Sequence, residues 1–399
     1  VAARYSENQI LPHVIGYIDS ERNGVCGIEK AYNSYLNDDS GSIYVKYKVD
    51  ALNRTLADKN ILVDDTSYKH TKGIVLTIDE RIQKIIQSIA LTNMERGAIV
   101  ITEVPNCEIK GCVSMPNFSP NNISQSLNLP SCPLINRAFG AYNIGSVFKL
   151  VTAAAALESS IDGDQVYNCI GEINVNNRQF HCFNNKAHES TTMKSALANS
   201  CNTYFVDITK KIRPSKLLEL SMNLGFSKSI ELAPGLVTSK GNLPSEKELK
   251  EKGSLANFSF GQGSLMATPV QVAGLLNTIA NGGLYYEPKL VKGIVNENLE
   301  YILPSKKEYK KRVISSKNSA YLIDSMKESV ETGTSKRGKP ENLSAGAKTG
   351  SAQTGIMVEN RYVTQAWYAG IYPIEKPKYS IVVFVEDGKG GGETCGPIF

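Results

Sequence analysis

Residues Asn136–Leu150 read NRAFGAYNIGSVFKL and run directly into VTAAAALESS at 151–160. The second stretch is strongly helical, and Gly145-Ser146-Val147-Phe148-Lys149 opens it. Three residues apart on a first turn, Ser146 and Lys149 share a face, which puts the ammonium within reach of the hydroxyl. A serine hydroxyl is a poor nucleophile until a base takes its proton, and an unprotonated lysine can do so. The free backbone N–H groups of a helix start also favour a developing oxyanion. This Ser-x-x-Lys is the only one in the chain. A capping serine beside a solvated lysine is the plainer reading of the same residues.

Two further short patterns follow in order. Ser200-Cys201-Asn202 supplies a Ser-x-Asn, which is weak alone because the pattern recurs at Ser6, Ser119, Ser126, Ser221 and Ser316. Lys348-Thr349-Gly350 is the only Lys-[Ser/Thr]-Gly, and Ser351 follows it. On a strand, Lys348 and Thr349 would clamp a substrate carboxylate. Gly350 would clear room for a substrate backbone lying alongside. A loop lysine is the alternative.

The frame is consistent with an enzyme. The chain has 399 residues, 41% hydrophobic and 21% charged, with a net charge of +5. These values exclude a disordered tail and a disulfide-stapled miniprotein. No dense basic run interleaved with aromatics supports nucleic-acid binding. No apolar run reaches the ~18 residues that cross a bilayer.

Residues 1–72 are polar and mixed, with a helix pattern at 28–36 and a strand pattern at 43–49, and read as an accessory region. From Gly73 the pattern changes. A strand at 74–78 leads to Asp79, a helix cap, and then to apolar Ile82, Ile85, Ile86 and Ile89. Residues 98–103 and 108–114 form a hairpin around Pro105–Asn106. After Gly145 the chain reads as helical to about Leu224. Thr268–Pro269 opens a helix that stops at Asn281–Gly282–Gly283. Residues 366–371 and 379–386 pair as adjacent strands. Helices on a largely antiparallel sheet, an α+β fold, fit this order.

Ser-x-x-Lys, Ser-x-Asn and Lys-Thr-Gly in this order mark penicillin-binding proteins and serine β-lactamases. The surroundings extend the likeness. GIVLTID at 73–79, NRAFGAYNIGSVFKL at 136–150, SCNTYF at 200–205, FGQGSLMATPVQVA at 260–273 and AKTGSAQ at 347–353 resemble the transpeptidase domain of class B penicillin-binding proteins. Residues 13–17 and 27–36 resemble the segment that joins the family's pedestal to its catalytic domain. The resemblance implies a pedestal and linker remnant at 1–72 and a penicillin-binding transpeptidase domain at 73–399. Its fold would be a central antiparallel sheet flanked by helices, with a helical subdomain.

The resemblance also implies roles. Ser146 would be acylated and Lys149 would be its base, kept neutral with help from the nearby Lys348. Ser200 and Asn202 would relay protons and hold the substrate amide. Lys348 and Thr349, with Gly350 and Ser351 beside them, would bind the terminal carboxylate of a D-Ala-D-Ala stem peptide. The backbone N–H groups of Ser146 and Ser351 would form the oxyanion hole. The implied substrates are peptidoglycan stem peptides, and β-lactams would inhibit covalently. A membrane anchor absent from this chain, an extracytoplasmic catalytic domain and a membrane glycosyltransferase partner are also expected. A β-lactamase, a D,D-carboxypeptidase and a penicillin-sensing module are the rival readings. Three departures stand out: the missing early pedestal and anchor, Cys107 at a hairpin-turn glycine position, and an end at Phe399 where a final helix usually follows.

The chain carries eight cysteines. Cys169, Cys182, His188 and Cys201 are spaced C-x12-C-x5-H-x12-C, and three thiols with one imidazole complete a tetrahedral zinc set. Disulfide pairing and plain reduced thiols are the other readings. Some class B relatives carry a metal at matching places, so the resemblance favours a structural zinc. Cys201 between Ser200 and Asn202 should then point away from the catalytic face.

Overall fold

The computed structural model describes residues 4–37, 43–46, 51–52, 62–65, 72–296, 298–304, 309–358 and 360–399. The chain divides into two compact units. The larger comprises Val1–Val14, Thr77–Leu290 and Glu308–Phe399, and the smaller comprises Ile15–Leu76 and Val291–Lys307.

The larger unit is built on a five-stranded antiparallel sheet. Its order is Gly346–Val358, Arg361–Tyr372, Tyr379–Val385, Gly97–Glu103 and Glu108–Met115. Both faces are covered, which explains why residues 97–102 are buried without alternation. On one face Ile86, Ala90 and Met94 pack with Ile99, Ile101, Val383, Tyr368 and Val330. The helix Pro269–Ala280 is buried on every side, as an all-round apolar helix must be. Thr268 caps it in a capping box with Gln271, as the Thr-Pro start predicts. The hairpin around Pro105–Asn106 and the paired strands near the C-terminus form as expected.

Asp79 caps Glu80–Asn93, accepting from the backbone N–H groups of Arg81 and Ile82. Its buried face differs from the expected one. Ile85 is 59% exposed, whereas Gln83 is buried. Glu108–Met115 is an edge strand, and the Gln83 amide serves as its missing neighbour. Gln83 Oε1 accepts from Cys112 N at 2.8 Å and Nε2 donates to Cys112 O at 3.1 Å. A buried amide with both ends paired takes the place of an isoleucine.

The expected helical run to Leu224 is interrupted. Two ribbons intervene, Tyr167–Cys169 with Glu189–Thr191 and Glu172–Val175 with Arg178–His181. The second turns at Asn176 and Asn177, with φ of 48° and 61°, the left-handed pair a tight hairpin requires.

In the smaller unit the expected helix at 28–36 is two pieces, Gly27–Ala31 and Asn33–Leu36, separated at Tyr32. Tyr32, with φ of −120°, leaves the helical conformation, and Asn33 opens the second piece with its Oδ1 accepting from Gly24 N at 2.6 Å. Gly73–Leu76 pairs with Val291–Val295, which pairs with Tyr301–Pro304. Ile43–Lys46 pairs with Leu62–Asp65. The rest of the strand expected at 43–49 lies outside the described residues.

Candidate active site

Ser146 sits in a 3-10 turn, Gly145–Phe148, that runs directly into the helix Lys149–Glu158. It caps neither element, because no side-chain cap bond forms at either start. The turn is held from both directions. Gly145 N donates to Gly261 O at 3.1 Å. Upstream, the Asn143 peptide is gripped by the neighbouring strand. Its N–H donates to Gln365 Oε1 at 2.6 Å, and its carbonyl accepts from Trp367 Nε1 at 2.8 Å.

Lys149 is fully buried, so it is not a solvated surface lysine. Among the described residues its ammonium donates to Ser200 O at 2.7 Å, Ser200 Oγ at 3.1 Å and Asn202 Oδ1 at 2.6 Å. None of these bonds goes to Ser146, contrary to the direct reach expected from helical spacing. The oxygens of the second motif outcompete one hydroxyl on the same turn.

Ser200 can face Lys149 with both its carbonyl and its hydroxyl because its φ is 57°. That left-handed conformation costs a non-glycine residue about 1–3 kcal/mol and concentrates at functional sites. The flanking bond from Cys201 N to Ala196 O, at 2.9 Å, holds the turn. Asn202 Nδ2 is fixed by His181 O at 2.8 Å.

Lys348, Thr349, Gly350 and Ser351 lie on the sheet-edge strand Gly346–Val358, so the loop reading of Lys348 fails. Lys348 is 1% exposed. Its ammonium donates to Ser200 Oγ at 3.0 Å and to Thr349 O at 2.9 Å. Gly350 has a different reason from the one expected. A Cβ there would lie 2.7 Å from Ile144 O and 3.0 Å from Val147 Cγ2. The missing side chain makes room for the serine turn itself. Ser351 Oγ accepts from Gly391 N at 3.1 Å.

Burial brings Lys149 down to about 7, with Cys201 and Cys182 opposing. Burial, followed by repulsion from Lys149, holds Lys348 well below the usual lysine range. Desolvation is therefore what lowers Lys149, and the expected repulsion between the two lysines is felt by Lys348 instead.

Behind this face lies a second cluster. The ligating atoms of Cys169, Cys182, His188 and Cys201 all fall within 4.8 Å of one another. Cys169 Sγ is 3.8 Å from Cys182 Sγ and 3.5 Å from His188 Nδ1, and Cys182 Sγ is 3.7 Å from Cys201 Sγ. All three cysteines are free thiols. Cys201 thus points away from Lys149 while Ser200 and Asn202 point towards it.

Motif reading did not single out Gln365, Trp367 or Thr334. Thr334 Oγ1 lies 2.8 Å from Thr349 Oγ1. None of the three carries a recognisable local pattern, since each acts on a residue distant in sequence.

A family model described as the penicillin binding protein transpeptidase domain matches residues 97–399. Stage V sporulation protein D of Bacillus subtilis (strain 168) is 28% identical over 417 residues, covering 99% of this chain and 62% of the relative. Peptidoglycan D,D-transpeptidase FtsI of Escherichia coli (strain K12) is 24% identical over 408 residues, with 99% and 65% covered. The chain thus spans just under two thirds of the length of these curated relatives. Among solved structures, the D,D-transpeptidase domain of a peptidoglycan glycosyltransferase from Eggerthella lenta superposes with a TM-score of 0.78 at 26% identity. That superposition covers 97% of this chain and 88% of the other. The family match runs through the serine turn, the Ser-x-Asn loop and the Lys-Thr-Gly strand alike, and the chain belongs to the family of penicillin-binding-protein transpeptidase domains.

Proposed function

We propose that the chain is a peptidoglycan D,D-transpeptidase that works through an acyl-Ser146 intermediate and is inhibited covalently by β-lactams. The observation that carries this reading is the buried Lys149, brought to about 7 by desolvation and bonded to both polar residues of the second motif. In the proposed first step Ser146 Oγ attacks the carbonyl of the penultimate D-Ala and its proton passes to Lys149 Nζ. The backbone N–H groups of Ser146 and Ser351 hold the oxyanion, a donor being worth ~3–4 kcal/mol. The tetrahedral species collapses as the C–N bond breaks. The departing D-Ala amine takes the proton back through Ser200 and Lys149. An acceptor amine then attacks the ester carbonyl, the bond from that carbon to Ser146 Oγ breaks, and Lys149 and Ser200 pass the amine's proton to Ser146 Oγ. Lys348 and Thr349 receive the substrate's terminal carboxylate, while Asn202 steadies its amide.

Residues 1–72 act in this reading as the linker and pedestal region, and 73–399 as the catalytic domain. The catalytic domain works on the extracytoplasmic face, beside a membrane glycosyltransferase partner. Among the described residues no helix is long and apolar enough to cross a membrane.

The thiol cluster fits a structural zinc. Sulfur separations of 3.7 and 3.8 Å match the ~3.8 Å edge of a tetrahedron with ~2.3 Å Zn–S bonds. Cys169, Cys182, His188 and Cys201 would hold the ion, which would anchor the Ser-x-Asn loop from behind. Four protein ligands leave no open position for activated water, so the serine chemistry proceeds without it.

The test is a D-Ala-ending thioester supplied with a D-amino-acid acceptor. Aminolysis product that depends on Ser146 supports transpeptidation. Hydrolysis alone would favour a carboxypeptidase, and acylation without turnover a sensing module.

A further inference from the structure

One segment joins the second and third motifs. After the helix Ser316–Glu331, Thr334 N donates to Ala198 O at 3.0 Å. Ala198 lies two residues before Ser200. Thr334 Oγ1 also approaches Ala198 O, at 3.3 Å, and pairs with Thr349 Oγ1 at 2.8 Å. The approach is sterically enforced. A Cβ at Gly333 would stand 2.2 Å from Ala198 O, and one at Gly392 would stand 2.6 Å from Thr334 O. Thr349 is 7% exposed, and Thr334 is the partner its hydroxyl has here.

Each hydroxyl owns one proton, which restricts this chain to two arrangements. In the first, Thr334 donates to Ala198 O and Thr349 donates to Thr334. Thr349 then presents only lone pairs outward, which an arriving carboxylate would meet with repulsion. In the second, Thr334 donates to Thr349, and the Thr349 proton points outward. Ala198 O keeps its bond from Thr334 N in both, so the reversal strands no buried acceptor. It needs only rotation about two C–O bonds, with no net proton transfer.

We propose that Thr334 is a positioning residue that sets the polarity of the Thr349 hydroxyl, turning it into a donor when a substrate carboxylate binds. The proposal rests on the reading of Thr349 as a carboxylate ligand. Thr334 supplies the proton that orients Thr349, and the relay discriminates anionic from neutral substrates.

A mutant cycle tests it on the full chain. Acylation rate constants are compared for a carboxylate-bearing penicillin and its neutral methyl ester, with melting temperatures recorded throughout. Thr334→Val should slow acylation by the acid about 3- to 10-fold, the scale of one hydrogen bond, and leave the ester rate unchanged. Thr334→Ser should restore the acid rate. The Thr334→Val/Thr349→Val double variant should be no slower than Thr349→Val alone. Additive losses would instead mean that Thr334 touches substrate directly, and an unchanged acid rate in Thr334→Val would mean that it positions nothing. Either result overturns the proposal. A Thr349→Val variant with unaltered acid-to-ester preference would defeat the carboxylate reading itself, and this relay with it.

Discussion

Lys149 and Lys348 donate to the same oxygen, Ser200 Oγ, at 3.1 and 3.0 Å. Two buried ammoniums on one hydroxyl cannot both carry full charge without large cost. Burial already brings Lys149 to about 7. On losing its proton Lys149 keeps two N–H donors for the second motif and frees a lone pair, which is what a serine nucleophile needs.

This arrangement has a pH signature. Only neutral Lys149 accepts the Ser146 proton, so the second-order acylation rate should rise with pH through about 7 and level off above it. Burial, not Lys348, sets that midpoint, so Lys348→Met should leave it near 7 while acylation slows about 100-fold. Acylation rates of both proteins between pH 5.5 and 9 provide the check. A flat profile would show that Lys149 is not the titrating base.

Gly350 should tolerate no side chain. Gly350→Ala places a Cβ 2.7 Å from Ile144 O, pushing the edge strand away from the serine turn. Overpacking of this kind costs about 1–3 kcal/mol. Thermal unfolding should fall by several degrees, and acylation should slow at least about tenfold for each 1.4 kcal/mol lost from the transition state. Unchanged acylation and stability would show that the strand and turn need not approach this closely.

If zinc anchors the Ser-x-Asn loop, elemental analysis should find about one ion per chain. A strong chelator or Cys182→Ser should then lower both the melting temperature and the acylation rate. Supporting ligands around a functional group are typically worth 10- to 100-fold, so a loss of roughly that size is expected. Metal-free protein of full activity, or a mapped Cys169–Cys182 disulfide, would contradict the zinc reading and leave the serine mechanism standing.

What could be read ahead of the structure was local. Asp79 and Thr268 cap their helices because capping is decided within four residues. The hairpin at Pro105–Asn106 follows from turn chemistry. The three motifs brought Lys149, Ser200, Asn202 and Lys348 together, and hydrogen bonds join these four in the structure. What escaped depended on distant partners. Gln83 is buried only because Cys112, on an edge strand, needs a neighbour. Gly350 answers to Ile144, Gln365 to Asn143, and Thr334 to both Ala198 and Thr349. The Asn176–Asn177 hairpin was hidden inside a stretch whose ends are truly helical.

The most direct measurement is the intact mass of the protein after incubation with a penicillin, followed by peptide mapping. One long-lived adduct should form, located on Ser146. Ser146→Ala should abolish it, and Lys149→Ala should slow its formation by about 100-fold or more. An adduct on any other residue, or undiminished labelling of Ser146→Ala, would contradict the assignment of Ser146 as the nucleophile.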